Sequence, residues 1–143
     1  MSTHETQQGS TSSTDAETDI FTERTHLKPY EYHDFLDYVD AIRNSYWTHD
    51  EFNFEGDVQD FKVNTTQAEQ TTIKRAMLAI AQIEVQVKTF WSDIYEDMPK
   101  AEVGNVGMTF AESEVRHMDA YSHLLDILGI EDEFKEVTEV PAI

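Results

Sequence analysis

Two carboxylates and one histidine have the residue types and the spacing of metal ligands in this sequence. Glu114 and His117 form a Glu-x-x-His pair, and Glu84 occupies an apolar position in the preceding predicted helix. Residues three apart on a helix are neighbours, so Glu114 and His117 can reach one metal ion. Helical dinuclear carboxylate proteins take a Glu from each of two helices and a Glu-x-x-His pair from each of two others. One helix of each kind is present here, which predicts one half of a dinuclear metal site.

The positions of these residues on apolar helix faces carry more weight than the Glu-x-x-His motif, which is weak by itself. In the helix predicted over residues 66–98, apolar residues recur in steps of 3 or 4 with a single step of 7, and Glu84 fills that gap. The recurring residues are Ile73, Met77, Ile80, Val87, Trp91 and Ile94. In the next predicted helix, Glu114 lies in the apolar stripe with His117 beside it. The pattern at Glu84 also fits a carboxylate at the edge of the stripe, or one that pairs with Lys or Arg.

The chemistry of these side chains favours particular metals. Two buried carboxylates on adjacent helices repel each other strongly unless cations lie between them. Carboxylate oxygens with one imidazole suit Fe or Mn better than structural Zn, and the absence of Cys excludes thiolate ligands. The sequence therefore predicts Glu84, Glu114 and His117 as ligands of a dinuclear Fe and/or Mn centre.

Three long helices are predicted to position these residues. The predicted helices span residues 29–47, 66–98 and 108–128, and residues 48–64 are predicted to form a connecting loop. Pro29 suits the first turn of a helix, and Thr66 begins a capping-box pattern. Gly104 and Gly107 are interpreted as the connection between the second and third helices, and Gly129 as the residue that ends the third.

Composition and charge limit the class of protein. The 143 residues allow one small domain. Residues 1–25 are rich in Ser, Thr and acids and are predicted to be a disordered tail, which leaves residues 26–143 for the domain. The net charge of −19 argues against binding to nucleic acid. No secretion signal is recognisable, and no apolar run approaches the roughly 20 residues that span a bilayer, so a cytoplasmic protein without membrane contacts is expected.

Residues 27–134 resemble the radical-generating small subunit of class I ribonucleotide reductases. The segment FAESEVRHMDAYSH over residues 110–123 is closely similar to a metal-ligand region of that family. In that region a Glu-x-x-His supplies two ligands, and a Tyr four residues after the His carries the stable radical. The resemblance implies an all-α, ferritin-like helical bundle, of which this chain would form the N-terminal half.

The resemblance also implies a role for individual residues. Glu84, Glu114 and His117 would be metal ligands, and Tyr121 would carry the radical. Trp47, which is followed by acids at positions 50 and 51, is similar to the Trp that delivers an electron to the metal site and lies on the radical-transfer route. Without the ligand residues nearby, Tyr121 would be interpreted as an ordinary core tyrosine with a hydrogen-bonded hydroxyl.

Two departures from the family pattern affect these expectations. Glu84 stands where Asp is more common, and Glu at that place is found in members with manganese-containing centres, so Fe and/or Mn are implied. The sequence ends at Ile143, and the family's later ligands and its C-terminal docking tail have no counterpart. We therefore expect a complementary polypeptide that supplies the remaining ligands, a dimer of assembled small subunits, and a large catalytic subunit as partner.

Two other classes of protein fit the residues. One is a ferritin-like homodimer for metal storage or oxidation, whose two-fold axis pairs two sets of Glu84, Glu114 and His117. The other is a non-catalytic helical interaction module. Tyr121 and Trp47 favour the ribonucleotide reductase hypothesis, since metal storage requires neither at these places.

Overall fold

The computed structural model describes residues 19–135, which form helices joined by short connections and contain no strand. The helices are α1 (Asp34–Asn44), α2 (Glu55–Val63), α3 (Gln67–Glu84), α4 (Val87–Asp97), α5 (Ala101–Leu128) and α6 (Glu131–Lys135), with a 3-10 helix at His49–Glu51. The all-α prediction is confirmed. Within the described range, no helix is long and apolar enough to cross a membrane.

The second predicted helix, over residues 66–98, is divided in the structure at Val85 and Gln86. Its start is as predicted, because the Thr66 and Glu69 side chains bond reciprocally to each other's backbone N–H groups. The break leaves carbonyl groups at the end of α3 without helical partners. Lys88 Nζ donates to the carbonyl oxygens of Glu84 (3.2 Å) and Val85 (2.8 Å), which satisfies both.

The third predicted helix was expected to start near residue 108, after a glycine-containing connection. That expectation is wrong, because α5 begins at Ala101 and includes Gly104 and Gly107. A Cβ atom at Gly107 would overlap the carbonyl oxygen of Trp91, and one at Gly104 would overlap the Tyr95 ring. These glycines therefore allow close packing of α4 against α5 rather than a turn between helices.

The first predicted helix begins five residues later than Pro29, and the predicted loop over residues 48–64 contains α2. Before α1, the backbone N–H groups of Glu31 and Tyr32 donate to Glu102 Oε1 on α5 (2.9 and 3.2 Å), which holds this segment in a non-helical path. The residues of α2 are mostly exposed and show no strong apolar period, so periodicity could not predict that helix.

A buried ionic network joins the N-terminal segment to the start of α5. Arg24 Nη1 donates to Glu102 Oε1 (3.0 Å), and both side chains are almost completely buried. Lys100 Nζ pairs with Glu31 Oε2 (3.0 Å) beside them. Arg24 lies in the segment that the sequence analysis assigned to the tail, yet it is packed into the fold; residues 1–18 of that segment lie outside the described residues.

A buried apolar cluster lies between α3 and the end of α5. Leu78, Ala81, Leu125 and Ile130 form it, and half-buried Tyr121 packs against it. Gly129, with φ of 69°, ends α5 in a left-handed conformation as predicted. Several apolar side chains of α3 and α4 remain exposed: Ile80 (40 %), Ile83 (61 %) and Phe90 (64 %). The described residues therefore cover only part of the apolar faces that the sequence presents.

Candidate metal centre

The structure brings Glu84, Glu114 and His117 together, although they come from different helices. Glu84 is the last residue of α3, and the other two lie one turn apart on α5. His117 Nδ1 is 2.8 Å from Glu114 Oε2 and 3.9 Å from Glu84 Oε2. One ligand atom from each residue lies within 4.8 Å of the others, and no other group of three potential ligands occurs among residues 19–135.

Glu84 is buried in a way that a carboxylate rarely tolerates. Its side chain is one of the few buried acidic groups, and Oε2 has no hydrogen-bond partner among the described residues. Burial raises the pKa of Glu84, and the Glu114 carboxylate raises it further, while His117 and Lys88 act in the opposite direction. An unpartnered buried carboxylate beside a second carboxylate is costly unless a cation lies between them. The oxygen and imidazole donors of this group therefore fit an Fe or Mn ion.

Trp91 is a member of this site that the sequence analysis placed in an apolar stripe. Its Nε1–H donates to Glu114 Oε1 (3.0 Å), and its ring stacks on Phe110 with centroids 4.5 Å apart. Hydrogen bonds from outer residues orient metal ligands and fix which carboxylate oxygen is free. Here Oε2 of Glu114 remains directed to His117. The sequence pattern could not reveal this contact, because a Trp on an apolar face is usually core.

Tyr121 lies one turn beyond His117 on α5. It borders a cleft of about 500 Å³ that is also lined by Trp47, Glu84 and His117. Burial raises the pKa of Tyr121, and the nearby Glu84 carboxylate raises it further. Both effects disfavour ionisation of the phenol, which lies next to the candidate ligands and against the apolar cluster of α3 and α5.

Trp47 lies against His117, in the segment between α1 and the 3-10 helix. The two rings stack with centroids 5.8 Å apart and an interplanar angle of 22°. Phe52 packs edge-on against Trp47 at 5.6 Å. The acids that follow Trp47 make local contacts, since Asp50 pairs with His49 and Glu51 Oε1 accepts a hydrogen bond from the Thr48 backbone N–H. The structure therefore places Trp47, but neither acid, against a candidate ligand.

Comparison with known proteins gives one consistent family. Residues 24–143 match the profile of the family described as "Ribonucleotide reductase, small chain". The chain is 27 % identical over 113 residues to the probable ribonucleoside-diphosphate reductase small subunit 048L of Invertebrate iridescent virus 3, covering 79 % of this chain and 30 % of that protein. It is 30 % identical over 117 residues to the corresponding protein 376L of Invertebrate iridescent virus 6, covering 79 % of this chain and 32 % of the relative. The chain thus spans about a third of the length of the curated relatives it matches.

Proposed function

This chain belongs to the ribonucleotide reductase small-chain family, and we propose that it forms part of a radical-generating small subunit. The observation that supports this most is the cleft in which Glu84, His117, Tyr121 and Trp47 meet. Candidate metal ligands, an oxidisable phenol and an indole stacked on a ligand lie side by side there. A storage protein needs the ligands but has no use for the other two side chains.

In this proposal Glu84, Glu114 and His117 hold part of a dinuclear Fe and/or Mn centre. When bound, the centre supplies the oxidising power that removes an electron from Tyr121. Oxidation of Tyr121 to a neutral radical would release its O–H proton together with the electron, because the phenol is protonated at neutral pH and burial raises its pKa further. Leu125 and its apolar neighbours shield one side of Tyr121 from water. Trp47, in contact with His117, provides the route for electrons between this site and a large subunit that reduces ribonucleotides.

Three ligands do not complete a dinuclear site, which needs about six from four helices. We expect a complementary polypeptide to supply the others and to cover the exposed apolar residues of α3 and α4, among them Ile83 and Phe90. Metal binding and assembly would then depend on each other, because bound cations remove the repulsion between Glu84 and Glu114 and the partner supplies the remaining ligands that hold those cations. The assembled small subunits would form a dimer.

Metal content after desalting tests this assembly. The chain alone and the chain mixed with a polypeptide that supplies a second Glu and Glu-x-x-His pair are loaded with Fe(II) or Mn(II), desalted and measured. We expect about two ions per complete unit in the mixture, few in the chain alone, and few in either sample with Glu84→Gln. Two ions per homodimer of the chain alone would instead support the symmetric metal-binding protein.

Electron paramagnetic resonance of the loaded assembly tests the role of Tyr121. Tyr121→Phe should retain the metal but lose the tyrosyl radical signal, because the phenyl ring cannot be oxidised by loss of an O–H proton and an electron. Tyr38→Phe is the matched control, since Tyr38 is 57 % exposed on α1. An unchanged radical signal in Tyr121→Phe would place the radical on another residue.

A further inference from the structure

We infer that Arg116 is a positioning residue that holds Trp47 against His117. The inference rests on the proposed role of Trp47 and adds a residue to it. Arg116 directly precedes His117 on α5. The same turn of helix therefore carries the candidate ligand His117 and the side chain that would hold Trp47 against it.

The guanidinium of Arg116 makes contacts in three directions. Its Nη1 donates to the carbonyl oxygen of Trp47 (3.3 Å), and its Nε donates to both oxygens of Glu112 (3.0 and 3.2 Å). Its flat face lies over the Tyr46 ring, with Cζ 4.4 Å from the centroid, and 5.8 Å from the centroid of Trp47. The rigid fork of a guanidinium can bridge a carboxylate and a carbonyl at once, whereas an ammonium group acts as a single point charge.

Burial separates this arrangement from an ordinary surface ion pair. The Arg116 side chain is 7 % exposed, while that of its carboxylate partner Glu112 is 49 % exposed. The ion pair with Glu112 lies at the helix surface and would not by itself bury the Arg116 guanidinium. The position of the guanidinium is instead explained by the aromatic rings and the Trp47 carbonyl, since cations favour the faces of Tyr and Trp.

Trp47 depends on these contacts because residues 46–48 lie between helices and belong to no regular element. Stacking on His117 fixes the plane of the indole. Phe52 packs edge-on against the same ring, and the bond from Arg116 to the Trp47 carbonyl oxygen holds the backbone that carries it. Electron transfer between the candidate metal site and Trp47 depends on such a fixed geometry, and small misplacements of reacting groups are costly.

The test compares Arg116→Gln and Arg116→Lys with Glu112→Gln, which removes the ion pair but leaves the guanidinium beside Trp47. The first readout is acrylamide quenching of Trp fluorescence in the full chain. Because the chain has two Trp residues, each variant is repeated with Trp47→Phe and the difference gives the Trp47 signal. We expect both Arg116 variants to raise the accessibility of Trp47 toward that of an exposed indole. Glu112→Gln should change it much less.

The second readout uses the assembled, metal-loaded subunit with its large subunit. Arg116→Gln should leave the metal content unchanged and lower ribonucleotide reduction by about 10- to 100-fold, as expected for a misplacement of about 1 Å. If Arg116→Gln folds poorly, Arg116→Lys decides, since it retains the charge and the stem.

The outcomes distinguish failure of the positioning role of Arg116 from failure of the proposed role of Trp47. Unchanged quenching of Trp47 in both Arg116 variants would overturn the positioning role, whatever happens to turnover. Equal effects of Glu112→Gln and Arg116→Gln on quenching would also overturn it, because the ion pair alone would then account for the result. Full turnover in Trp47→Phe would instead refute the proposed role of Trp47, while the quenching result would still decide whether Arg116 fixes that ring.

Discussion

Replacing Glu102 by Gln would leave a side chain of the same shape in a buried pocket but remove its charge. Glu102 is fully buried at the start of α5. Its Oε1 accepts hydrogen bonds from Arg24 Nη1 (3.0 Å) and from the backbone N–H groups of Glu31 (2.9 Å) and Tyr32 (3.2 Å), and its Oε2 pairs with Arg24 Nη2. Lys100 and Glu31 form a second ion pair beside it. The substitution would leave one buried cation in excess.

The pKa of Glu102 gives the size of the effect. Burial alone would raise that pKa, but the hydrogen bonds from Arg24 and from backbone N–H groups outweigh burial and lower it from 4.5 to about 2. This difference corresponds to about 3 kcal/mol of stability. Because the folded pKa is the lower one, the contribution is complete above pH 4.5 and is lost as the pH falls toward 2. Breaking a buried ion pair by removing one partner costs a similar amount, about 3–5 kcal/mol.

The assay is the free energy of unfolding from urea titrations at pH 7 and pH 3, on either side of the calculated isoelectric point of 4.4. Glu102→Gln should cost about 3 kcal/mol at pH 7 and roughly half of that or less at pH 3. Asp40→Asn is the control, because the Asp40 and Arg43 side chains are 70 % and 68 % exposed, and an exposed pair contributes at most about 1 kcal/mol.

Two results would refute this reasoning. One is a loss at pH 7 no larger than that of Asp40→Asn, which would mean that the Glu102 charge contributes little. The other is a loss at pH 3 as large as at pH 7, which would assign the effect to packing rather than to ionisation.

Three further predictions concern local geometry and use the same stability assay or metal analysis. Gly107→Ala should destabilise the fold by about 1–3 kcal/mol, because the added Cβ would overlap the Trp91 carbonyl oxygen. Gly56→Ala in α2 is the control. Its added Cβ meets nothing within 4 Å, so the change should be neutral or stabilising by up to about 1 kcal/mol. Trp91→Phe should lower the metal affinity of the assembled site about 10-fold or more by removing the hydrogen bond to Glu114, with unchanged affinity as the contrary result. Gly129→Ala should cost about 1 kcal/mol, since its φ of 69° strains any residue with a Cβ.

The sequence was sufficient for the parts of the fold that local chemistry determines. The capping box at Thr66 and the glycine end of α5 at Gly129 each depend on a few neighbouring residues, and both are present. The break after Glu84 was not predictable in the same way. The apolar period continues across it into Val87 and Trp91, so the pattern is that of one uninterrupted helix.

Long-range contacts explain the remaining differences. Gly104 and Gly107 are turn signals in isolation, and only the proximity of α4 shows why a helix needs residues without side chains there. The local sequence does not distinguish Arg24 from its polar neighbours, because its partner Glu102 lies 78 residues away along the chain. At the candidate site, periodicity indicated which side chains share a face. The contacts of Trp91 with Glu114 and of Arg116 with Trp47 depend on how helices meet, which no local pattern records.

The break at Val85 and Gln86 means that the candidate ligands lie on two helices, α3 and α5, neither of which is continuous with α4. Glu114 and His117 lie on α5. The helix α4 packs closely against α5 at Gly104 and Gly107. Glu84 stands at the tip of α3, directly before the break. The 3.9 Å separation between Glu84 and His117 therefore depends on how α3 packs against α5 through Leu78, Ala81 and Leu125. Substitutions in that apolar cluster should alter the candidate site without touching a ligand residue.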